Sequence, residues 1–252
     1  MRKTLTTVLI VAITILLTSV FAMSAKAQQP YTKTFSMDDS IPNAAGWSYW
    51  FIPTGGVADT LNVKMSCVTK AEGPHGAHRH NHSELFVLVE GEAIVQLNGV
   101  DHVFHPGDGC MCPGGSNHSI RRADLSKPIR YLMFNTDTPG GLKAPLPFFK
   151  DDYTMDDCYV PAGKKSFWYL KPEQTLGGLN VKSILMKGKK VHKDPADGRQ
   201  LVYFIMEGTA DITVDGQAVR LPAMSVCYVP AGSTGTIASA GGRMRYLAIR
   251  TH

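Results

Sequence analysis

The sequence predicts an all-β protein made of two tandem copies of one unit, each a small sandwich or barrel. Three observations predict it. Runs rich in β-branched and aromatic residues end in glycine, as in LFVLVEG (Leu85–Gly91) and LVYFIMEG (Leu201–Gly208), which is how short strands closed by turns read. The same blocks recur in the same order along the chain. No segment carries a sustained helical period.

Taken in order, the chain opens on an address label. Arg2 and Lys3 precede the apolar stretch VLIVAITILLTSVFAM, and Ala25 and Ala27 stand at the small-residue positions of a cleavage site. Residues 1–27 therefore read as a secretory signal peptide cut after Ala27. An uncleaved anchor is the poorer reading, because the apolar core is threonine-rich and short for a span. The first cysteine is Cys67, which argues against a lipid anchor, and no second run of spanning length follows. The mature protein is expected to be soluble and secreted or periplasmic, with no membrane association after cleavage.

Cleavage leaves 225 of the 252 residues, and loss of Arg2, Lys3 and Lys26 takes the formal charge from +5 to +2. With no basic tract and no aromatic–basic stripe, nucleic acid is excluded as a partner. An exported protein can form disulfides, but five cysteines leave at least one thiol unpaired. Cys110 and Cys112, two apart in an expected strand, face one side and read as buried small apolar groups.

The repeat then organises the remainder. SYWFIP (Ser48–Pro53) returns as SFWYLKP (Ser166–Pro172), and LNVK (Leu61–Lys64) returns at Leu179–Lys182. VEGEAIVQLNG (Val89–Gly99) returns as MEGTADITVDG (Met206–Gly216), CMCPGGS (Cys110–Ser116) as CYVPAGS (Cys227–Ser233), and RYLMF (Arg130–Phe134) as RYLAI (Arg245–Ile249). Asn98-Gly99 and Asp215-Gly216 are favoured hairpin pairs. A Pro-, Gly- and charge-rich stretch separates the copies. The expected division is a first barrel over 28–138, a linker over 139–157 and a second barrel over 158–252.

The stretch GPHGAHRHNHSELFVLVEGEA (Gly73–Ala93) holds four histidines within eight residues. Gly73, His78-x-His80, Glu84 after three intervening residues and Gly91 after six more resemble the first motif of the cupin superfamily, with a leading gap one residue short. Gly107, Pro113-x-Gly115 and His118 resemble the second, without its frequent closing asparagine. Extended by the repeat, the resemblance covers nearly the whole mature chain and implies a bicupin, two jelly-roll barrels in tandem. It further implies one metal held by His78, His80, Glu84 and His118. The residues agree, since positions two apart on a strand face the same way, and three imidazoles with a carboxylate suit divalent Mn, Fe, Co, Ni, Cu or Zn. Four ligands leave one or two positions open, as a catalytic metal requires. His75 and His82 fall outside the motif and read as loop residues or proton carriers near the mouth, and His102 and His105 as surface.

The second copy has lost the set. Leu201 stands where Glu84 does and Gly235 where His118 does, leaving His192 and Asp194 as possible ligands. That barrel is expected to be structural, covering sheet surface and building an intra-chain or homodimer interface. If it bound an organic ligand instead, Trp168, Tyr203 and Arg220 would be the residues of interest.

A divalent ion with one anionic ligand stays positive and attracts an oxygen chelator: an enediolate, a 2-oxo acid or a catechol-like diol. The chain resembles the quercetin dioxygenase-like group, which implies an enzyme acting on a small-molecule substrate, with Glu84 as ligand and catalytic base. A metal-dependent hydrolase or isomerase of the ureidoglycine aminohydrolase-like bicupin type is the alternative, although there the metal lies in the second barrel. A non-catalytic ligand-binding or metal-storage cupin is a third reading. A fold shared by so many activities does not select among them.

Overall fold

A computed structural model describes residues 30–58, 61–136, 164–172, 179–188 and 190–251. The signal segment 1–27, the linker 139–157 and Cys158 lie outside the described residues. The first part of the chain forms β1 (Thr32–Thr34), β2 (Ile41–Asn43), β3 (Gly46–Ile52), β4 (Leu61–Val68), β5 (Ser83–Glu90), β6 (Ala93–Leu97), β7 (Val100–Phe104), β8 (Gly109–Cys112), β9 (His118–Arg122) and β10 (Ile129–Thr136). The second part forms β11 (Lys164–Leu170), β12 (Asn180–Lys187), β13 (Val191–Asp194), β14 (Gln200–Glu207), β15 (Thr209–Val214), β16 (Gln217–Pro222), β17 (Ser225–Val229), β18 (Gly235–Ser239) and β19 (Arg243–Thr251). Among the described residues the only helix is a 3-10 turn at Met37–Asp39, and no helix is long and apolar enough to cross a membrane.

Each copy is a two-sheet jelly roll, as expected. In the first, the six-stranded sheet β2-β3-β4-β10-β5-β8 faces the three-stranded sheet β7-β6-β9. In the second, β1-β17-β14-β19-β12-β11 faces β13-β18-β15-β16. The hairpin turns form where the sequence puts them: Asn98 and Gly99 have φ of 50° and 86°, Asp215 and Gly216 of 46° and 84°, the pair of positive φ values a type I′ turn requires.

Strand β1 departs from the expected division. It lies within residues 28–138, yet it pairs with β17 of the second barrel, Thr32 opposite Cys227 and Thr34 opposite Ser225. Around it the two units are stitched together. Tyr31 Oη donates to the Phe51 carbonyl (2.6 Å), Lys33 Nζ to the Trp50 carbonyl (2.8 Å) and Tyr49 Oη to the Thr34 carbonyl (2.6 Å).

The long apolar runs are explained by burial on both faces. Along β5, Leu85 and Val87 enter one core, while Phe86 and Leu88 enter another. Along β14, Val202 and Phe204 enter the core shared with β5, while Leu201, Tyr203 and Ile205 fill the second barrel. The two six-stranded sheets thus pack back to back through one central core, where Phe51 meets Phe204 edge to face at 5.2 Å. Strands covered by apolar cores on both faces read as near-continuous apolar runs. The alternation that remains decides which residues look into the first barrel: on β5 these are Glu84 and Phe86.

Because the central core belongs to both barrels, Phe204→Ala should destabilise the whole protein by about 3–5 kcal/mol. Urea unfolding should show one earlier transition followed alike by probes in either barrel; an unchanged first barrel would mean that the two fold independently.

Candidate metal centre

Register places the site. Across the inner face of the first large sheet, Trp50, Lys64, Met133, Phe86 and Cys110 stand opposite one another in one row. The adjacent row is Asn62, Asn135, Glu84 and Cys112. Glu84 is 5% exposed. The facing small sheet brings His118 at the start of β9, and a single antiparallel bridge, His78 to His118, ties the histidine-rich loop to it. His80 is held by the Gly115 amide donating to its carbonyl (2.7 Å). The Pro113–Gly115 turn thereby serves both motifs at once.

The imidazoles point at one another. One ligand nitrogen from each of His78, His80 and His118 lies within 4.8 Å of the others. His80 Nδ1 donates to the His82 carbonyl (2.7 Å) and His118 Nδ1 to the Ser116 carbonyl (3.0 Å). A carbonyl can only accept, so each Nδ1 carries a proton, and in the neutral ring, the form that ligates a metal, each Nε2 presents a lone pair. Those atoms lie 3.2 and 3.3 Å from Glu84 Oε2. His80 Nε2, His118 Nε2 and His78 Nδ1 are all buried without a hydrogen-bond partner. Lone pairs facing a carboxylate oxygen repel unless a cation lies between them, and a metal ion meets all of them together. The four side chains that carry the family resemblance therefore fit a divalent ion.

Electrostatics support the same state of charge. Burial pushes Glu84 up, but the contact from His118 and the positive charge that His80 and His118 carry when protonated in the absence of a metal outweigh it and bring the carboxyl down to about 2. Burial, followed by His75, His118 and His80, pushes His78 below the ordinary imidazole range against the pull of Glu84. Glu84 is thus ionised and His78 neutral at neutral pH, as ligands must be.

The loop histidines differ from one another. His82 stacks flat on His80 with ring centroids 3.7 Å apart, and its Nε2 reaches Glu84 Oε1 at 3.2 Å, so it bridges the carboxylate to the rim. His75 is exposed and touches His78, with centroids 4.0 Å apart. His105 lies just past β7 beside Asp108 at 3.7 Å, away from the cluster. Cys110 and Cys112 are fully buried in the first-barrel core with sulfurs 3.7 Å apart, and burial raises the Cys110 thiol. Cys67, Cys110, Cys112 and Cys227 are all free thiols.

Above the cluster opens a cavity of about 340 Å³ walled by Trp50, Phe86, Tyr131 and Met133, with Lys64 and Asn135 among its polar groups. Sequence reasoning missed Trp50, Lys64 and Asn135. The alternation of β3, β4 and β10 carried the signal, but it could be read only once the buried face of each strand was known.

The second barrel shows what replaces a metal. Its matching rows run Trp168, Lys182, Ala248, Tyr203, Cys227 and Asn180, Arg250, Leu201, Val229. Leu201 occupies the place of Glu84 and Gly235 that of His118. Asp194, opposite Gly235, stands where His78 does, and it is already engaged. Arg250 pairs with its Oδ1, and Tyr203 Oη donates to Oδ2 at 2.6 Å. A Cβ on Gly235 would lie 2.8 Å from Tyr203 Oη, so the tyrosine uses the space of the missing imidazole. His192 lies 3.4 Å from Asp194, but no metal-ligand group forms there among the described residues. Tyr203 is core, and Arg220 pairs with Asp211 on the surface.

Residues 65–135, within the first barrel, match the Cupin domain family. The second jelly roll repeats that architecture, so the chain has a bicupin-type fold. Solved structures share the fold. The salicylate 1,2-dioxygenase of Pseudaminobacter salicylatoxidans aligns with TM-score 0.67 at 13% identity, over 90% of this chain and 87% of that one. An oxalate decarboxylase of Lactobacillus farciminis, in a formate complex, aligns with 0.63 at 14%, over 88% and 86%. A cupin 2 conserved barrel domain protein of Leptotrichia buccalis aligns with 0.63 at 14%, over 90% and 99%. No curated protein matches in sequence.

His80→Ala should abolish metal binding, whereas His192→Ala should leave metal content unchanged; plasma mass spectrometry of both variants checks this, and a metal-replete His80→Ala protein would refute the ligand set. Protonated imidazole cannot ligate, and His78 is held below its ordinary value of 6.5. Its share of the binding is therefore in place above pH 6.5 and is lost as pH falls through its lowered value. Equilibrium dialysis should accordingly find metal retained at pH 6.5 and released under more acid conditions.

Proposed function

We propose that the first barrel holds one divalent transition metal through His78, His80, Glu84 and His118, and that the protein is an exported metal-dependent enzyme acting on a small oxygen-chelating substrate, with dioxygenase-like chemistry. The observation that carries this reading is the convergence of three unpartnered imidazole nitrogens on an ionised, buried carboxylate at the floor of an open cavity. Structural neighbours named as a dioxygenase and a decarboxylase support an enzyme of this kind. The composition of residues 1–27 supports export.

When bound, the ion supplies Lewis acidity toward chelating oxygens and, if it is iron or copper, a redox couple for reaction with dioxygen. The chain's own residues do the rest. Glu84 Oε1, turned toward His82 rather than the imidazole cluster, is placed to take a proton from a substrate hydroxyl. His82, 35% exposed along its side chain, connects that oxygen to solvent. Trp50, Phe86, Tyr131 and Met133 narrow the cavity and keep bulk water from the reacting oxygens. The aminohydrolase-like alternative is weakened by the second barrel, where the Asp194–Arg250 pair fills the place a metal would take.

Chelator-free protein purified from its export compartment should begin at Gln28 and carry about one equivalent of metal per chain. If that metal is iron or copper, oxygen uptake with catechol-like diols and 2-hydroxy acids is the expected activity. One equivalent of metal with turnover but no oxygen consumption would shift the reading to hydrolase or isomerase chemistry. A metal-free protein that cannot be reloaded would make the barrel a binding module.

A further inference from the structure

We infer that Lys64 is the substrate-selecting cation of the first barrel, and that the substrate is a planar chelator bearing a carboxylate. This rests on the metal-dependent reading above and narrows its substrate class. The first ground is charge. Among the described residues, Lys64 and Glu84 are the only lysine, arginine, aspartate or glutamate side chains lining the cavity. Alone they cancel; a divalent ion added at Glu84 leaves a surplus of two positive charges in a partly buried space. A neutral chelator leaves that surplus uncompensated, whereas an anion removes part of it.

The second ground is position. Lys64 stands in the row next to that of Glu84 and two strands away, with Asn135 between them in register. On a flat sheet that spacing is roughly 12 Å between Cα atoms, and both side chains line the same cavity, Lys64 at its Trp50 side and Glu84 at its floor. The ammonium rests 5.1 Å from the centroid of the Trp50 ring, and among the described residues no carboxylate pairs with it. The neighbouring Asn135 Oδ1 is buried with no hydrogen-bond partner. An unpaired ammonium and an unsatisfied carboxamide on one wall are the complement of a carboxylate with an adjacent donor group. The aromatic walls Trp50, Phe86 and Tyr131 fit a flat ligand rather than a bulky one.

The second barrel provides the contrast. Lys182 stands over Trp168 at 4.7 Å in the same register, but Arg250 replaces Asn135 and closes on Asp194. The lysine–tryptophan pair is therefore a property of the repeated unit. In the second barrel the unsatisfied amide atom beside the pair is a donor, Asn180 Nδ2; among the described residues only the first barrel sets the pair beside an unsatisfied acceptor, Asn135 Oδ1, and the imidazole–carboxylate cluster.

The test uses 2-hydroxybenzoate and 2-hydroxybenzamide, chelators of one shape that differ by a charge. Their affinities for full-length mature protein are measured by calorimetry, with metal counted before and after each titration. Wild type should bind the carboxylate about tenfold or more tighter than the amide. Lys64→Met should lose that preference while keeping its metal and its affinity for the amide, and Lys64→Arg should retain it. A metal-loaded wild type that binds neither probe or shows no preference, or a Lys64→Met protein that keeps the preference, overturns the role of Lys64 and leaves the metal site standing. Wild type that holds no metal overturns the metal reading and this inference with it. If Lys64→Met loses its metal, Lys64→Gln is judged by the same criteria; loss of metal there too would make Lys64 a structural residue and refute the inference.

Discussion

The first barrel is organised around a local repulsion. Two imidazoles, their tautomers fixed by carbonyls of the loop that carries them, aim lone pairs at a carboxylate oxygen little more than 3 Å away. A third nitrogen, on His78, is buried without a partner beside them. Such an arrangement is costly in an apolar interior unless positive charge sits at its centre. Much of the surrounding structure follows from holding these groups in place: the bridge from His78 to His118, the turn at Pro113–Gly115 that secures His80, and the β5 register that turns Glu84 inward.

The second barrel solves the same packing problem without an ion. Where the first has a histidine, it has Asp194; where the first has a carboxamide, it has Arg250; and where the first needs room for His118, it has Gly235 admitting Tyr203. The negative charge that a metal would balance is balanced by a guanidinium and a phenol hydroxyl. One strand framework thus supports two alternatives, an open cluster of ligands or an internal ion pair.

That packing is a constraint on function as well. The large sheet carrying Glu84 on one face carries Leu85 and Val87 on the other, against Val202 and Phe204 of the second barrel. The sheet is held from behind, so the inner row positions of Glu84, Asn135 and Lys64 are set by a core that none of them enters. Strand β1 adds to this by crossing from the first segment onto β17.

Much of this was legible in the residues themselves. Glycine-closed β runs, the ordered repeat and the Asn-Gly and Asp-Gly turns are local signals, because turn geometry and strand preference are set within a few residues. The candidate cluster was legible for the same reason: His78, His80 and Glu84 lie within one short segment, His118 follows a turn of recognisable spacing, and the structure brings the four together. What only the tertiary structure decided depends on which face of each strand is buried. On β4 the polar residues Asn62, Lys64 and Ser66 do alternate with apolar ones, but such a face reads as solvent-facing until the opposite sheet is known to cover it, so Lys64, Trp50 and Asn135 looked no different from outward-facing residues. The pairing of β1 with the second barrel, and the engagement of Asp194 by an arginine 56 residues away, were likewise out of reach. Long-range register and the charge balance of a closed interior are properties of the assembled sheets, and no single segment carries them.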